Sequence, residues 1–273
     1  MSPRRFLALL AILVASSALA QERPWRFVPA DPVVGEDFIV MALGSTPTLG
    51  AYVDTSSLNF LNGTYQLTAH MGVRSDFSVS DGSWATGAMQ AAAAGTFPVR
   101  FTQTGGGLSG RSYELGTITI APTVVAPDPA YRNLSGNWFF PGEDGWGFNL
   151  IQSGAGRLSG VWMTYQPVAA EPTPYMTQRG ATYGAWYFMP SGRWVTPTHF
   201  RGLLYETTGP PVGEAFDRST VYSVARGMAT FTIVSGTELD FVGDITVGGS
   251  AITPPSRPGP NRIVRKRLVR LDP

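Results

Sequence analysis

A chain of 273 residues without a single cysteine, carrying 20 basic and 19 acidic residues, excludes several chemistries at the outset. No thiol nucleophile, cysteine-ligated zinc or iron–sulfur cluster is possible, and no disulfide supports the fold. A formal charge of +1 gives no global pull toward nucleic acid or an acidic membrane.

Residues 1–20 read as a secretory leader. Arg4 and Arg5 supply the positive end, Phe6 to Val14 an unbroken apolar run, and Ala18-Leu19-Ala20 a small-x-small cleavage site before Gln21. The apolar run is too short for a permanent span, which needs about 20 residues. Loss of Arg4 and Arg5 leaves 18 basic against 19 acidic residues, a formal charge of −1. No later stretch is long and apolar enough for a transmembrane segment, so export to the periplasm or beyond is expected.

The 32 glycines and 22 prolines are spread as turn punctuation between short apolar or alternating runs, which predicts an all-β protein. Residues 21–121 form a first domain. Its expected strands are Arg26–Val28, Asp37–Met41, Thr64–Ala69, Phe77–Val79, Gly95–Thr102 and Leu115–Ile120. Phe97, Val99 and Phe101 alternate as in a half-buried strand, and Pro98 among them predicts an edge or a bulge. The best helical stretch is the alanine-rich Thr86 to Ala94. Three prolines between Pro122 and Pro129 mark residues 122–130 as a stiff linker.

Residues 131–273 form a second domain holding Trp138, Trp146, Trp162, Trp186 and Trp194. Roughly eight strands follow in series: Gly136–Phe140, Gly145–Gln152, Leu158–Tyr165, Ala185–Met189, His199–Thr207, Arg226–Ile233, Thr237–Val242 and Arg262–Leu271. That pattern predicts an antiparallel meander, closed or nearly closed as a barrel. In Ala185–Met189, Trp186 and Phe188 share one face and Tyr187 takes the other. In Val161–Tyr165, Val161, Met163 and Tyr165 share one face and Trp162 opposes them. With rings on both faces, one core cannot hold them all.

Two resemblances accompany this reading. The length, strand spacing and Pro32-x-x-Gly35 opening of the first domain resemble bacterial immunoglobulin-like sandwiches, without the Cys…Trp…Cys hallmark of antibody domains. The second domain resembles a family of secreted bacterial β domains of unknown function. The matching segments are Gly136-Asn-Trp-Phe139 with Glu143 to Gly147, Trp162-Met-Thr-Tyr165 and Gly202-Leu-Leu-Tyr-Glu-Thr-Thr-Gly-Pro210, followed by Phe216-Asp217 and Arg226–Thr230. The chain departs from the pattern between Gln166 and Gly184. The resemblance implies secretion and a β fold, and no activity.

Catalytic equipment is scarce. His70 and His199 lie in different domains, no Gly-x-Ser-x-Gly occurs, and neither a metal site nor a cofactor is expected. Glu143 and Asp144 are adjacent and cannot straddle a sugar bond. A carboxylate hydrolase needs a distant partner such as Glu171, Glu206 or Asp217. The five charges of Arg262, Arg265, Lys266, Arg267 and Arg270 could meet nucleic acid, anionic glycans or lipopolysaccharide, but a last strand with Arg265, Arg267 and Lys266 in solvent is the favoured reading. What stands above background is aromatic density. The sequence therefore predicts a non-catalytic exported binding protein for an envelope polysaccharide, a small apolar ligand or a protein. The expected contact residues are Trp146, Trp162, Trp186 and Trp194, with Glu143 and Asp144 beside them. The alternatives are a structural spacer or adhesin module and a carboxylate-dependent hydrolase.

Overall fold

The computed structural model describes residues 25–44, 51–73, 84–106, 108–122, 133–153, 157–165, 184–210, 213, 215–245 and 262–271. The leader, nearly all of the linker, the expected Phe77–Val79 strand and Glu171 lie outside these residues. The described chain is all-β apart from a 3-10 turn at Arg218–Thr220, and no helix among the described residues is long and apolar enough to cross a membrane.

The first half contains β1 (Trp25–Val28), β2 (Asp37–Leu43), β3 (Ala51–Leu61), β4 (Thr64–Val73), β5 (Trp84–Gln90), β6 (Gly95–Gly105) and β7 (Leu108–Ile120). They make a three-stranded sheet, β1-β2-β5, and a four-stranded sheet, β3-β4-β6-β7, in which β4 and β6 run parallel. Phe38, Val40 and Ala85 of one sheet share a core with Tyr65, Leu67, Val99 and Phe101 of the other. Pro98 sits where the β4 ladder has not yet begun and next to a bulge after Val99, so its missing N–H costs no ladder bond to β4.

The expected helix at Thr86–Ala94 is not one. Its first half is strand β5, paired along β2, and Ala91 to Ala94 are irregular. Alanine and glycine serve here for closeness: a Cβ on Gly87 would lie 2.5 Å from Leu58 Cβ and 2.7 Å from the Leu58 amide nitrogen. Packing of the two sheets overrides helix propensity. Gly87→Val is expected to cost about 1–3 kcal/mol in denaturant unfolding by overpacking. Unchanged stability would contradict this contact.

The second half contains β8 (Gly136–Phe139), β9 (Gly147–Ser153), β10 (Arg157–Tyr165), β11 (Gly184–Met189), β12 (Arg193–Thr196), β13 (His199–Thr208), β14 (Tyr222–Ile233), β15 (Glu238–Ile245) and β16 (Arg262–Arg270). Eight of them close an antiparallel barrel in the order β8-β9-β10-β11-β13-β14-β15-β16 and back to β8. The last seam is the Phe188–Tyr205 pair of β11 and β13, while the short β12 takes the place of β11 along the first half of β13. Closure removes the exposed edges that a meander of this composition would offer to other chains.

The interior is filled with rings. Phe148 stands edge-on to Phe231 at 4.9 Å, and Trp162 lies 5.1 Å from Phe241 and 5.8 Å from Trp146. Small residues make the room: a Cβ on Gly243 would lie 2.8 Å from the Trp162 ring. Each buried ring contributes roughly 1.5–3 kcal/mol by leaving water, which is how the barrel manages without disulfides.

The halves are joined by a third apolar cluster. β2 is buried on both faces, which is why Phe38–Ala42 is an unbroken apolar run. Phe38 and Val40 face their own core, whereas Ile39 and Met41, with Val28, pack on Leu203, Ala225 and Met228 on the outside of the barrel. Around this cluster, Arg26 pairs with Asp244, and Arg201 reaches both Asp31 and Glu36.

Candidate functional site

The four tryptophans grouped by the sequence are divided by the barrel wall. Trp162 and Trp194 belong to the core at 2% and 5% exposure, and Trp146 packs half-buried against it. Trp186 is 57% exposed. Strand alternation decides this: Ala185, Tyr187 and Met189 turn inward, so Trp186 and Phe188 stand outside. Trp194 is inward because it is paired with Phe200, which is fully buried. The Trp162 ring nitrogen is buried without a hydrogen-bond partner.

The outer wall of β8–β11 carries side chains in registered rows. One row runs Phe139, Gly147, Met163, Trp186; the next runs Asn137, Asn149, Val161, Phe188 and ends at Tyr205. Ile151 and Ser159 begin a third, and Tyr165 stands above Met163. Ile151, Met163, Tyr165, Trp186 and Phe188 are all exposed. None of these rows contains a charged residue. Asn149 donates to the Asn137 side-chain oxygen at 2.7 Å, which leaves the Asn137 amide and the Asn149 carbonyl oxygen for a ligand. Rings flanked by amides on a rigid, closed sheet supply apolar contact and hydrogen bonding without electrostatic attraction.

The alternation of β10 and β11 is the one expected from the sequence, and β8 and β9 continue the same surface through strand register, which no local pattern reveals. The signal was present in the Asn137, Asn149 and Ile151 positions, which alternate outward with Met163 once the register is known.

The acidic candidates have separate fates. Glu143 pairs with Lys266, whose ammonium also sits 4.3 Å over the Phe140 ring. Asp144 is exposed, and its backbone oxygen accepts from the Tyr165 hydroxyl at 3.3 Å. Glu206 accepts from Arg226 at 2.7 Å, with both side chains largely buried. Asp217 caps the 3-10 turn, and the hydroxyl and amide of Ser219 hold its carboxyl below the ordinary range. His70 and His199 each lie beside threonine hydroxyls, 3.5 Å from Thr104 and 3.1 Å from Thr196. The basic run of β16 is also engaged. Arg267 meets Asp240 and Glu238, and Arg270 donates to the Ser135 carbonyl at 2.8 Å and covers the Trp138 ring.

A second feature lies between the halves. Glu36 is 2% exposed; its carboxylate accepts from the Val33 amide at 2.9 Å and from Arg201 at 3.0 Å. Its other oxygen lies 2.8 Å from Arg201 Nε without the alignment of a hydrogen bond. Burial raises the Glu36 carboxyl above its ordinary value, with Arg201 opposing. Burial likewise raises Asp37, against the attraction of Arg193. Beside them opens a cleft of about 300 Å³ that also includes Arg157, Gln90 and Ser191. A wider and more apolar hollow of about 570 Å³ lies on the other side of the junction, between Trp25, Phe27 and Met228.

Comparison with protein-family models, with curated proteins and with solved structures returned no match to this chain.

Proposed function

We propose that this is an exported, non-catalytic protein whose barrel presents the outer wall of β8–β11 to an envelope polysaccharide. The observation that carries this reading is the exposed, uncharged surface around Trp186, in which rings and amides share registered rows. Soluble proteins seldom leave a contiguous apolar area of this kind uncovered without a partner. Sugar rings offer C–H faces that stack on aromatic side chains and hydroxyls that pair with amides, and they require no charge. A small apolar ligand is less well served, because the core rings occupy the barrel interior.

The leader at residues 1–20 supplies the export signal. The two-sheet first half is read as an immunoglobulin-like spacer and the barrel as a member of the secreted β-domain family. The non-catalytic reading is supported by the engagement of Glu143, Glu206 and Asp217 in structural contacts.

The test is affinity electrophoresis through gels containing a β-glucan, alginate or soluble peptidoglycan fragments. Retardation is expected in at least one, weakened at least tenfold in Trp186→Ala. Stability should change by no more than about 0.5 kcal/mol, because the ring is on the surface. Migration unaffected by every polysaccharide, or equal retardation of the variant, would overturn the reading.

A further inference from the structure

The cleft between the halves offers something the outer wall lacks, which is guanidinium donors without an acceptor; its formal charges balance once Asp31 on Arg201 is counted. Three guanidinium groups border it, those of Arg157, Arg193 and Arg201, against the two carboxylates of Glu36 and Asp37. Arg201 is committed, since Glu36 and Asp31 both bind it. Arg193 reaches across to the first half, where a side chain on Gly35 would overlap its guanidinium. It feels Asp37 through space. Among the described residues the side chains of Arg157 and Arg193 make no hydrogen bond or salt bridge, their backbones being held in the β10 and β12 ladders. Gln90 and Ser191 add an amide and a hydroxyl to the same lining, and 300 Å³ is at the lower end of the range of small-molecule sites.

The cleft is not remote from the surface described above. On β10 the outward positions run Arg157, Ser159, Val161, Met163, Tyr165, so Arg157 stands at the foot of the neutral wall. The strand rise places Arg157 roughly 20 Å from Met163, a span for an extended chain of several sugars.

We propose that the interdomain cleft binds the carboxylate of a uronic acid, through Arg157 and Arg193, and that the polysaccharide recognised by the barrel is therefore acidic. The inference rests on the polysaccharide reading above. A guanidinium fork matches a planar carboxylate with two parallel charge-assisted bonds. Asp37 and Gln90 then serve the hydroxyls of the same sugar ring. The neutral wall carries the following sugars by stacking, and the cleft fixes which end of the chain enters.

Isothermal titration of the full chain separates the two claims. The probes are oligogalacturonate, D-galacturonate, a neutral dextran oligosaccharide and sodium sulfate. Oligogalacturonate is expected to bind. Arg157→Gln and Arg193→Gln are each expected to weaken it about tenfold and to flatten its dependence on salt. Arg157 is exposed, so its variant keeps the test open should Arg193→Gln disturb the junction. Binding by both arginine variants at the parent affinity, with loss in Trp186→Ala, would overturn the cleft assignment and leave the wall standing. Loss in the arginine variants with full binding by Trp186→Ala would leave the cleft as a uronate site and overturn the wall. Binding of sulfate without galacturonate, or of the dextran alone, would overturn the carboxylate assignment.

Discussion

Trp162→Ala is expected to cost about 3–5 kcal/mol of stability, a fall of roughly 6–20 °C in Tm. The ring is one of the largest fully buried groups in the molecule and touches Trp146, Tyr187 and Phe241. Its removal leaves a cavity in the middle of the barrel that Gly243 has no side chain to fill. The indole nitrogen makes no hydrogen bond, so Trp162→Phe forfeits volume and no polar partner. That variant should retain more than half of what alanine loses. Denaturant unfolding of the two variants checks both statements. A cost for Trp162→Ala below about 1 kcal/mol would place the ring outside the core.

Arg201→Ala is the second large effect, again about 3–5 kcal/mol, because it strands Glu36 as a charge buried without its counter-ion. The loss falls on the docking of the two halves. A single unfolding transition should split in two. The same site carries a pH signature. The folded Glu36 carboxyl is raised above 4.5, so the folded form holds a proton in a window that opens upward from that value. Its contribution to stability is full below the window and is lost as pH rises through it. Asp37 shifts in the same direction, while Asp31, Arg193 and Arg201 are the other charges that face the pair. The stability of the parent relative to Glu36→Gln should therefore increase as pH falls from neutrality toward 4.5. A constant difference across that range would contradict the burial of this carboxylate.

The barrel was legible because its strands carry the two-residue period plainly. Val161, Met163 and Tyr165 against Trp162, and Trp186 against Tyr187, read the same in the sequence and in the folded wall. Elements without that contrast were missed. Strand β3 lacks an apolar stripe, with Ser57 and Asn59 outward and the polar Ser56 beside Leu58 on the inward face, where it bonds Thr86. β12 is four residues long and is recognisable only through its pairing with β13. The alanines of β5 pointed to a helix because their small size was read as propensity, whereas the fold uses it for sheet contact. Tryptophan identity alone did not separate Trp194 from Trp186. That separation needed the register opposite Phe200 and Met163. The cleft was beyond reach for a different reason. Glu36 and Arg201 stand 165 positions apart, and no local pattern joins them.

The claim on which the functional account turns is that a polysaccharide covers Trp186. Acrylamide quenching of tryptophan fluorescence measures this directly, since Trp138, Trp162 and Trp194 are shielded, Trp25, Trp84 and Trp146 are half-buried and Trp186 is the most open. Parent protein and Trp186→Phe are compared with and without oligogalacturonate and β-glucan. A bound polysaccharide is expected to lower the quenching of the parent to the level of free Trp186→Phe and to leave the quenching of Trp186→Phe unchanged. Quenching of Trp186 that persists at saturating polysaccharide would contradict it.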